Sequence, residues 1–367
     1  MFLTAYNLPH YLISKGIVTA QSVVAGDFVL AEVGRRNRNF KVFRREHAGV
    51  FVKQVKTTDA DAIATLRREA IFYRAVESNP SCAAIRGIIP RHLNYDERRH
   101  VLTVNLVEDA ESVAERQLRE GPCREDTANQ LGQALGQIHA LSSTVVGDAR
   151  LRPLFTYQMP WPLQLDQIGY GFLEKMGSVG PALSAAIRQM PALQAMLAAL
   201  RSRWQYDSLI HGDMKWDNCM IRNKPGELPQ LTIVDWELTD IGDGAWDVAG
   251  IFKEYVMAIV LNAYAKETAA VQNVPPPPAI NFEQLRRSIR TFWEAYAGAR
   301  QLLNGSSYMD RAIRLMGARM VAAVLEYLFA SPQLGTLGAR MLQTSVKILE
   351  APEIVASQLF SSSARPI

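Results

Sequence analysis

The sequence predicts an α+β chain in two parts. A small N-terminal antiparallel sheet with one helix runs to about residue 107, and a larger, mostly helical part covers residues 108–367. Three observations carry this. β-Prone runs bounded by turn residues fill 28–56 and 88–107. A single helical repeat, Ile63, Leu66, Ala70 and Tyr73, lies between them. Beyond residue 107 the apolar spacing is helical almost throughout, interrupted by three short strand-like runs.

In order, residues 7–16 read as a short helix with Asn7 as cap, Pro9 in the first turn and Gly16 at the end. Residues 28–33, 40–43 and 50–55 read as three antiparallel strands in a meander, with a turn at 46–49. The two-residue strand period places Lys53 on the same face as Phe51 and Val55, an apolar side where a lysine is unexpected. Residues 60–76 form the helix, and 88–107 a second hairpin turning at 96–99. In the second part, 128–141 and 182–204 read as helices around a loop at 152–162, where Trp161 stands between Pro160 and Pro162. Strand-like 209–210 and 220–221 flank a polar loop, and 231–234 is a third short strand. Helices over 248–263, 282–299, 309–329 and 336–349 follow, with a Pro-rich break at 275–278 and a frayed tail at 361–367.

Composition bounds the function. With 48% apolar residues a sizeable core can be filled, and 21% charged residues argue against wholesale disorder. Forty Lys and Arg against 36 Asp and Glu give +4, too small an excess to imply a nucleic-acid partner. Cys82, Cys123 and Cys219 are widely spaced and form no CxxC pair, so neither a zinc site nor a disulfide framework is indicated. Residues 1–16 lack the features of a secretory signal, and the apolar run 320–330 is too short to span a bilayer and contains Glu326. The expectation is a cytoplasmic globular protein without a membrane anchor.

The sharpest chemical signal is the run Leu209-Ile210-His211-Gly212-Asp213-Met214-Lys215-Trp216-Asp217-Asn218-Cys219-Met220-Ile221, in which apolar strands enter and leave a tight polar loop. Polar groups between buried strands need partners or a function. A second apolar strand ends in an acid at Ile233-Val234-Asp235-Trp236-Glu237. Asp213, Asn218 and Asp235 are expected to converge at the mouth of one small sheet. Hard oxygen ligands and a carboxylate near a nucleophile suit magnesium and phosphate chemistry.

At these residues the chain resembles the aminoglycoside phosphotransferase and choline kinase group, which has the bilobal protein-kinase-like fold. The loop 211–218 is similar to that group's catalytic loop. Asp235-Trp236-Glu237 through Gly242-Asp243-Gly244-Ala245-Trp246-Asp247 is similar to its metal-binding segment. The resemblance extends from about residue 17 to about residue 330. It implies ATP- and Mg2+-dependent O-phosphotransfer, with Asp213 accepting or orienting the acceptor's proton. Asn218 would hold a second ion and orient Asp213, and Asp235 would bridge magnesium to the phosphates. Glu237 would reach a metal or form a structural salt bridge. His211 resembles a loop brace, and Asp247 an anchor between the following helix and the loop. Lys215 would neutralise charge on the transferring phosphoryl group or stand solvated; many small-molecule relatives carry another residue there.

The first part adds a partial set of the same kind. Residues 34–40, Gly34-Arg35-Arg36-Asn37-Arg38-Asn39-Phe40, join two strands and resemble a phosphate-covering loop, with Asn37 three before Phe40. The pattern lacks GxGxxG, and its arginines would meet phosphate oxygens or form a solvated tip. Lys53 resembles the lysine that grips the α- and β-phosphates, and Glu69 its ion-pair partner. Asn105, Leu106 and Val107 would meet the adenine. The acceptor is expected to be a small-molecule hydroxyl of an antibiotic, sugar or amino alcohol, with Asp240, Glu254, Tyr255, Trp293, Glu294, Tyr296 and Glu326 as candidate contacts. A peptide acceptor is the alternative, favoured by Lys215 and opposed by the missing GxGxxG and the lack of an APE segment. A non-catalytic nucleotide-binding scaffold is another.

Overall fold

The computed structural model describes residues 2–33, 37–56, 59–121, 124–141, 155–177, 179–223, 226 and 229–360. Gly34, Arg35 and Arg36 of the expected phosphate-covering loop, Cys123 and the tail 361–367 lie outside the described residues. In chain order the helices and strands are α1 (Leu8–Ser14), α2 (Ala20–Val24), β1 (Val29–Glu32), β2 (Arg38–Phe43), β3 (Val50–Gln54), α3 (Ala60–Ser78), β4 (His92–Asp96), β5 (Val101–Asn105), β6 (Ala110–Ser112), α4 (Val113–Glu120) and α5 (Glu125–Ala140). They continue as α6 (Leu165–Ile168), α7 (Gly171–Glu174), α8 (Val179–Arg188), α9 (Pro191–Arg201), β7 (Ser208–Ile210), β8 (Cys219–Arg222), β9 (Gln230–Ile233) and β10 (Asp240–Gly242). The last helices are α10 (Gly244–Gln272), α11 (Phe282–Arg300), α12 (Gly305–Ala330), α13 (Gly335–Glu350) and α14 (Pro352–Phe360).

One compact unit comprises Met1–Glu115, Gly147–Phe155 and Asp217–Thr239. Its larger sheet is antiparallel, in the order β1-β2-β3-β5-β4. Strand alternation sorts the two faces. Phe40, Val42, Val50 and Val52 join Leu8, Tyr11 and Leu12 of α1 in one buried cluster. Asn39, Lys41, Phe51 and Lys53 point to the other face, by the same period. Asp59 caps α3 by accepting from the backbone of Asp61 and Ala62. Leu66, Glu69, Ala70 and Tyr73 form the buried stripe of that helix. Asn7 stands at the N-cap of α1 but does not cap it as expected. Its backbone is already helical, and its side chain accepts from Thr4 N at 2.7 Å and donates to Phe2 O at 3.0 Å. A second sheet of this unit, β6-β8-β9, draws its strands from both sides of the long helical insertion.

The other unit comprises Arg116–Val146, Thr156–Trp216 and Asp240–Ile367. Among its described residues the strands are the pair β7–β10, where Asp240 faces Ile210, and the regular structure is otherwise helical. Its core forms where α5 meets α11. A Cβ at Gly132 would lie 2.3 Å from Phe292 O, so only glycine lets the two backbones approach this closely. The single helix expected over 182–204 is two helices, α8 and α9. Pro191 lacks an N–H and holds Met190 at φ −123° and ψ 68°, outside the helical region. Helix α10 is long and apolar enough to cross a membrane, but half of its most apolar window is buried inside the protein.

The strands flanking the polar loop do not share a sheet, contrary to expectation. β7 pairs with β10, while β8 pairs with β6 and β9. The chain changes unit between Trp216 and Asp217, inside the loop itself. Period and apolarity identify such strands but carry no information about partners.

Candidate active site

Lys53 lies in β3 between Asn39 of β2 and Leu102 of β5. Its Nζ is 2.9 Å from Glu69 Oε2, 2.5 Å from Asp235 Oδ1 and 2.8 Å from Glu237 Oε2. Local packing sets each carboxylate. Glu69 projects from the buried stripe of α3. Asp235 follows β9 with φ 67°, a left-handed conformation that costs a non-glycine residue energy and turns the chain sharply. Glu237 sits in the short turn Trp236–Leu238. Trp236 is fully buried, stacks on Phe72 of α3 at 4.4 Å and donates its indole N–H to Ile233 O at 2.9 Å. That stack locks the turn bearing Asp235 and Glu237 to the helix bearing Glu69.

Burial alone would favour the neutral amine, but Glu69, Asp235 and Glu237 outweigh it and hold Lys53 protonated. One ammonium faces three carboxylates, more than it can neutralise when all are ionised. Burial pushes Glu69 up to about 7; Lys53 opposes this, and repulsion from Asp235 and Glu237 adds to it. Oxygens of Glu69, Asp235 and Glu237 all lie within 4.8 Å of one another. Hard, anionic oxygen donors of this kind fit Mg2+ or a similar cation.

A cavity of about 270 Å³ opens beside this cluster, and its lining includes Lys53, Glu69, Asn218 and Asp235 together with Asn105, Leu106 and Val107. Asn218 is buried, and its carbonyl accepts from Val234 N at 2.9 Å, which ties the start of β8 to the residue before Asp235. Leu106 N is spent on Gly49 O at 2.9 Å. Asn37 is buried just before β2, whereas Asn39 and Lys41 line the cavity. Lys41 was not singled out from the sequence. Its signal was the strand period that puts it opposite Phe40 and Val42.

In the helical unit, Asp247 of α10 is fully buried. It accepts from His211 N at 2.6 Å, Gly212 N at 3.0 Å and His139 Nε2 at 3.2 Å. Trp246 Nε1 donates to Gly212 O at 2.9 Å, and Asp213 N donates to His211 Nδ1 at 3.2 Å. The backbone at the head of the loop is thus fixed by the start of one long helix. Asp213 lies 2.7 Å from Lys215 Nζ and 3.5 Å from Arg319. Burial opposes its ionisation, but Lys215 and Arg319 prevail and hold its carboxyl below the usual range. Lys215 also reaches Glu326 at 3.3 Å, and these carboxylates keep its ammonium protonated against burial.

Several expected acceptor contacts have structural partners instead. Tyr255 and Tyr296 are fully buried, and Tyr296 is hydrogen-bonded to His139 and Tyr308. Glu254 pairs with Lys253, and Asp240 accepts from the backbone of Thr156, Tyr157 and Gln158. Arg319 escaped the sequence reading. A lone arginine in the apolar run of α12 was its signal, since such a charge is buried only with partners.

Residues 28–308 match the family described as "Phosphotransferase enzyme family". Comparison with curated proteins finds no match. Solved structures share the fold. An ethanolamine kinase from Plasmodium vivax is 15% identical over 98% of this chain and 92% of that one, with a TM-score of 0.53. Wild-type aminoglycoside 2'-phosphotransferase-IIIa in its GDP complex is 12% identical over 96% of this chain and 99% of that one, with a TM-score of 0.52. A gentamicin complex of APH(2")-IIa is 14% identical over 95% and 97%, with a TM-score of 0.50. The chain has the bilobal protein-kinase-like α+β fold expected from its sequence, with a small antiparallel sheet and a larger helical part.

Proposed function

The chain belongs to the phosphotransferase enzyme family, and from that premise we propose that it transfers the γ-phosphoryl group of ATP to a hydroxyl of a small molecule. The observation that carries this reading is Lys53 buried among Glu69, Asp235 and Glu237 at the wall of a cavity that Asn105, Leu106 and Val107 also line. Lys53 meets the α- and β-phosphates, and Glu69 holds its ammonium in place. Asn105, Leu106 and Val107 border the base. Asp235, Glu237 and Asn218 offer the oxygens for magnesium, which when bound screens the charge of the phosphate oxygens.

Asp213 receives the proton of the acceptor hydroxyl as that oxygen bonds to the γ-phosphorus. The bond from phosphorus to the bridging oxygen breaks, and ADP leaves. A carboxylate with a depressed pKa is a weak base, but a loose transition state demands mainly orientation of the hydroxyl. Lys215 lies where it can offset charge near Asp213. Small acceptors come first because the fold is shared with an ethanolamine kinase and aminoglycoside phosphotransferases. Lys215 beside Asp213 favours a peptide hydroxyl, so peptides belong in the test. We place the reaction in the cytoplasm, where ATP is replenished and the buried free Cys82 and Cys219 stay reduced.

The test is a screen of amino alcohols, sugars, aminoglycosides and hydroxyl-bearing peptides with γ-labelled ATP and Mg2+. Label on a small alcohol supports the reading. Label on peptides alone would move the acceptor class, and ATP consumption with no acceptor or water-derived phosphate product would refute hydroxyl transfer.

A further inference from the structure

The family match ends at residue 308, yet α12, which continues to Ala330, reaches the Asp213 loop with two charged side chains. Arg319 and Glu326 are separated by 326 − 319 = 7 positions, two helical turns, and so share a face of α12. Arg319 is 4% exposed. Its guanidinium donates to Met214 O at 2.8 Å, Gly212 O at 3.3 Å and Asp213 Oδ1 at 3.5 Å. The same group lies over the Trp246 ring, 5.0 Å from its centroid. One planar fork thereby grips the carbonyls on both sides of Asp213 and the carboxylate between them.

The opposite wall is shaped to match. A Cβ at Gly250 of α10 would lie 2.3 Å from Met214 O and 3.3 Å from an Arg319 nitrogen. The missing side chain lets the Met214 carbonyl sit against the helix while Arg319 holds it. Glu326 completes the arrangement by taking Lys215 at 3.3 Å, so the two cations beside Asp213 are both set from α12. Burying an arginine is costly unless its donors are used, and here three of its contacts go to a loop of three consecutive residues.

We propose that Arg319 is a positioning residue for phosphoryl transfer, fixing the Asp213 carboxylate and its flanking backbone from a helix segment beyond the family-matched region. The proposal rests on the functional reading above. Lysine at this position would keep the charge but lose the planar fork that spans three acceptors.

The test uses the full chain with Mg·ATP and water as acceptor, following phosphate release, with Asp213→Asn as reference. Arg319→Ala is expected to lower Asp213-dependent turnover at least about tenfold, the scale of a misplaced reacting group. Its KM for ATP should stay within about twofold, because nucleotide contacts are untouched. Millimolar ethylguanidinium should restore part of the loss, which a folding defect would not allow. Amide exchange in a peptide covering 211–216 should speed up while 244–256 stays protected. If the alanine variant does not fold, Arg319→Lys carries the turnover, KM and exchange measurements without the ethylguanidinium arm, because its side chain occupies the space the additive would need. Asp213-dependent turnover that survives loss of the guanidinium, or a loss that ethylguanidinium leaves unchanged, overturns the proposal alone. Equal turnover in wild type and Asp213→Asn overturns the functional reading, and this proposal with it.

Discussion

Lys53 Nζ lies 2.5 Å from Asp235 Oδ1, although the two residues are 182 positions apart in the chain. Glu69 and Glu237 close on the same ammonium, so one lysine neutralises part of a cluster that would otherwise repel itself. Removing a partner from such a buried group leaves uncompensated charge. Lys53→Met is expected to lower stability by up to about 3–5 kcal/mol, less whatever protonation of Glu69 recovers. Mg2+ should raise the melting temperature of this variant more than that of wild type, since the carboxylates then lack their cation. Thermal unfolding with and without Mg2+ checks this; equal shifts would show that the cluster does not take the ion.

Asp235 supplies the most exposed carboxylate of the set. Asp235→Ala is expected to abolish the Mg2+-dependent part of ATP affinity while leaving the fold intact. Calorimetric titration of ATP in the presence of Mg2+ and of EDTA measures it. Affinity that is unchanged in both conditions would remove Asp235 from the metal site.

Asp243 titrates in an unusual window. It is fully buried, 2.9 Å from Arg311. Burial pushes its pKa up to about 6 despite Arg311, and Asp207 adds to the rise. The folded value lies above the unfolded value of about 3.9. The folded state therefore holds a proton that the unfolded chain releases. The group favours folding most below about pH 4, and this contribution is lost as pH rises to about 6. A shift of this size corresponds to something on the order of 2–3 kcal/mol. In Asp243→Asn that dependence should vanish. Denaturant unfolding from pH 4 to 7 should show the variant gaining relative to wild type as pH rises; a constant difference would contradict the assignment.

Gly250 offers a steric test of the loop. Its absent Cβ leaves room for Met214 O, which would otherwise stand 2.3 Å away. Gly250→Ala must displace the backbone beside Asp213 and should cost about 1–3 kcal/mol, the range for overpacking. Turnover should fall with little change in KM for ATP. Wild-type kinetics and stability would show that the loop yields without consequence.

Much of this was legible in the chain. The two-residue period put Lys53 on the unexpected side of its strand, while Glu69 was reached through the family resemblance and not through the helical repeat of Ile63, Leu66, Ala70 and Tyr73. The polar loop after Ile210 announced itself because apolar strands enclosed it. Partnership was not legible. Nothing local tells β7 that it pairs with β10 rather than with β8's sheet. The break at Pro191 was readable in principle, but the Ala- and Leu-rich flanks masked it. Arg319 is not among the residues expected from the sequence, and its target, 105 positions upstream at Met214, needed the fold.

The most direct test compares wild type with Asp213→Asn under single-turnover conditions with γ-labelled Mg·ATP and the best acceptor from the screen. Wild type should deliver label to the acceptor's hydroxyl. The variant should bind ATP as before and transfer at least about 100-fold more slowly, the scale of a lost, well-placed acid–base group. Transfer at the wild-type rate by the variant would contradict the account.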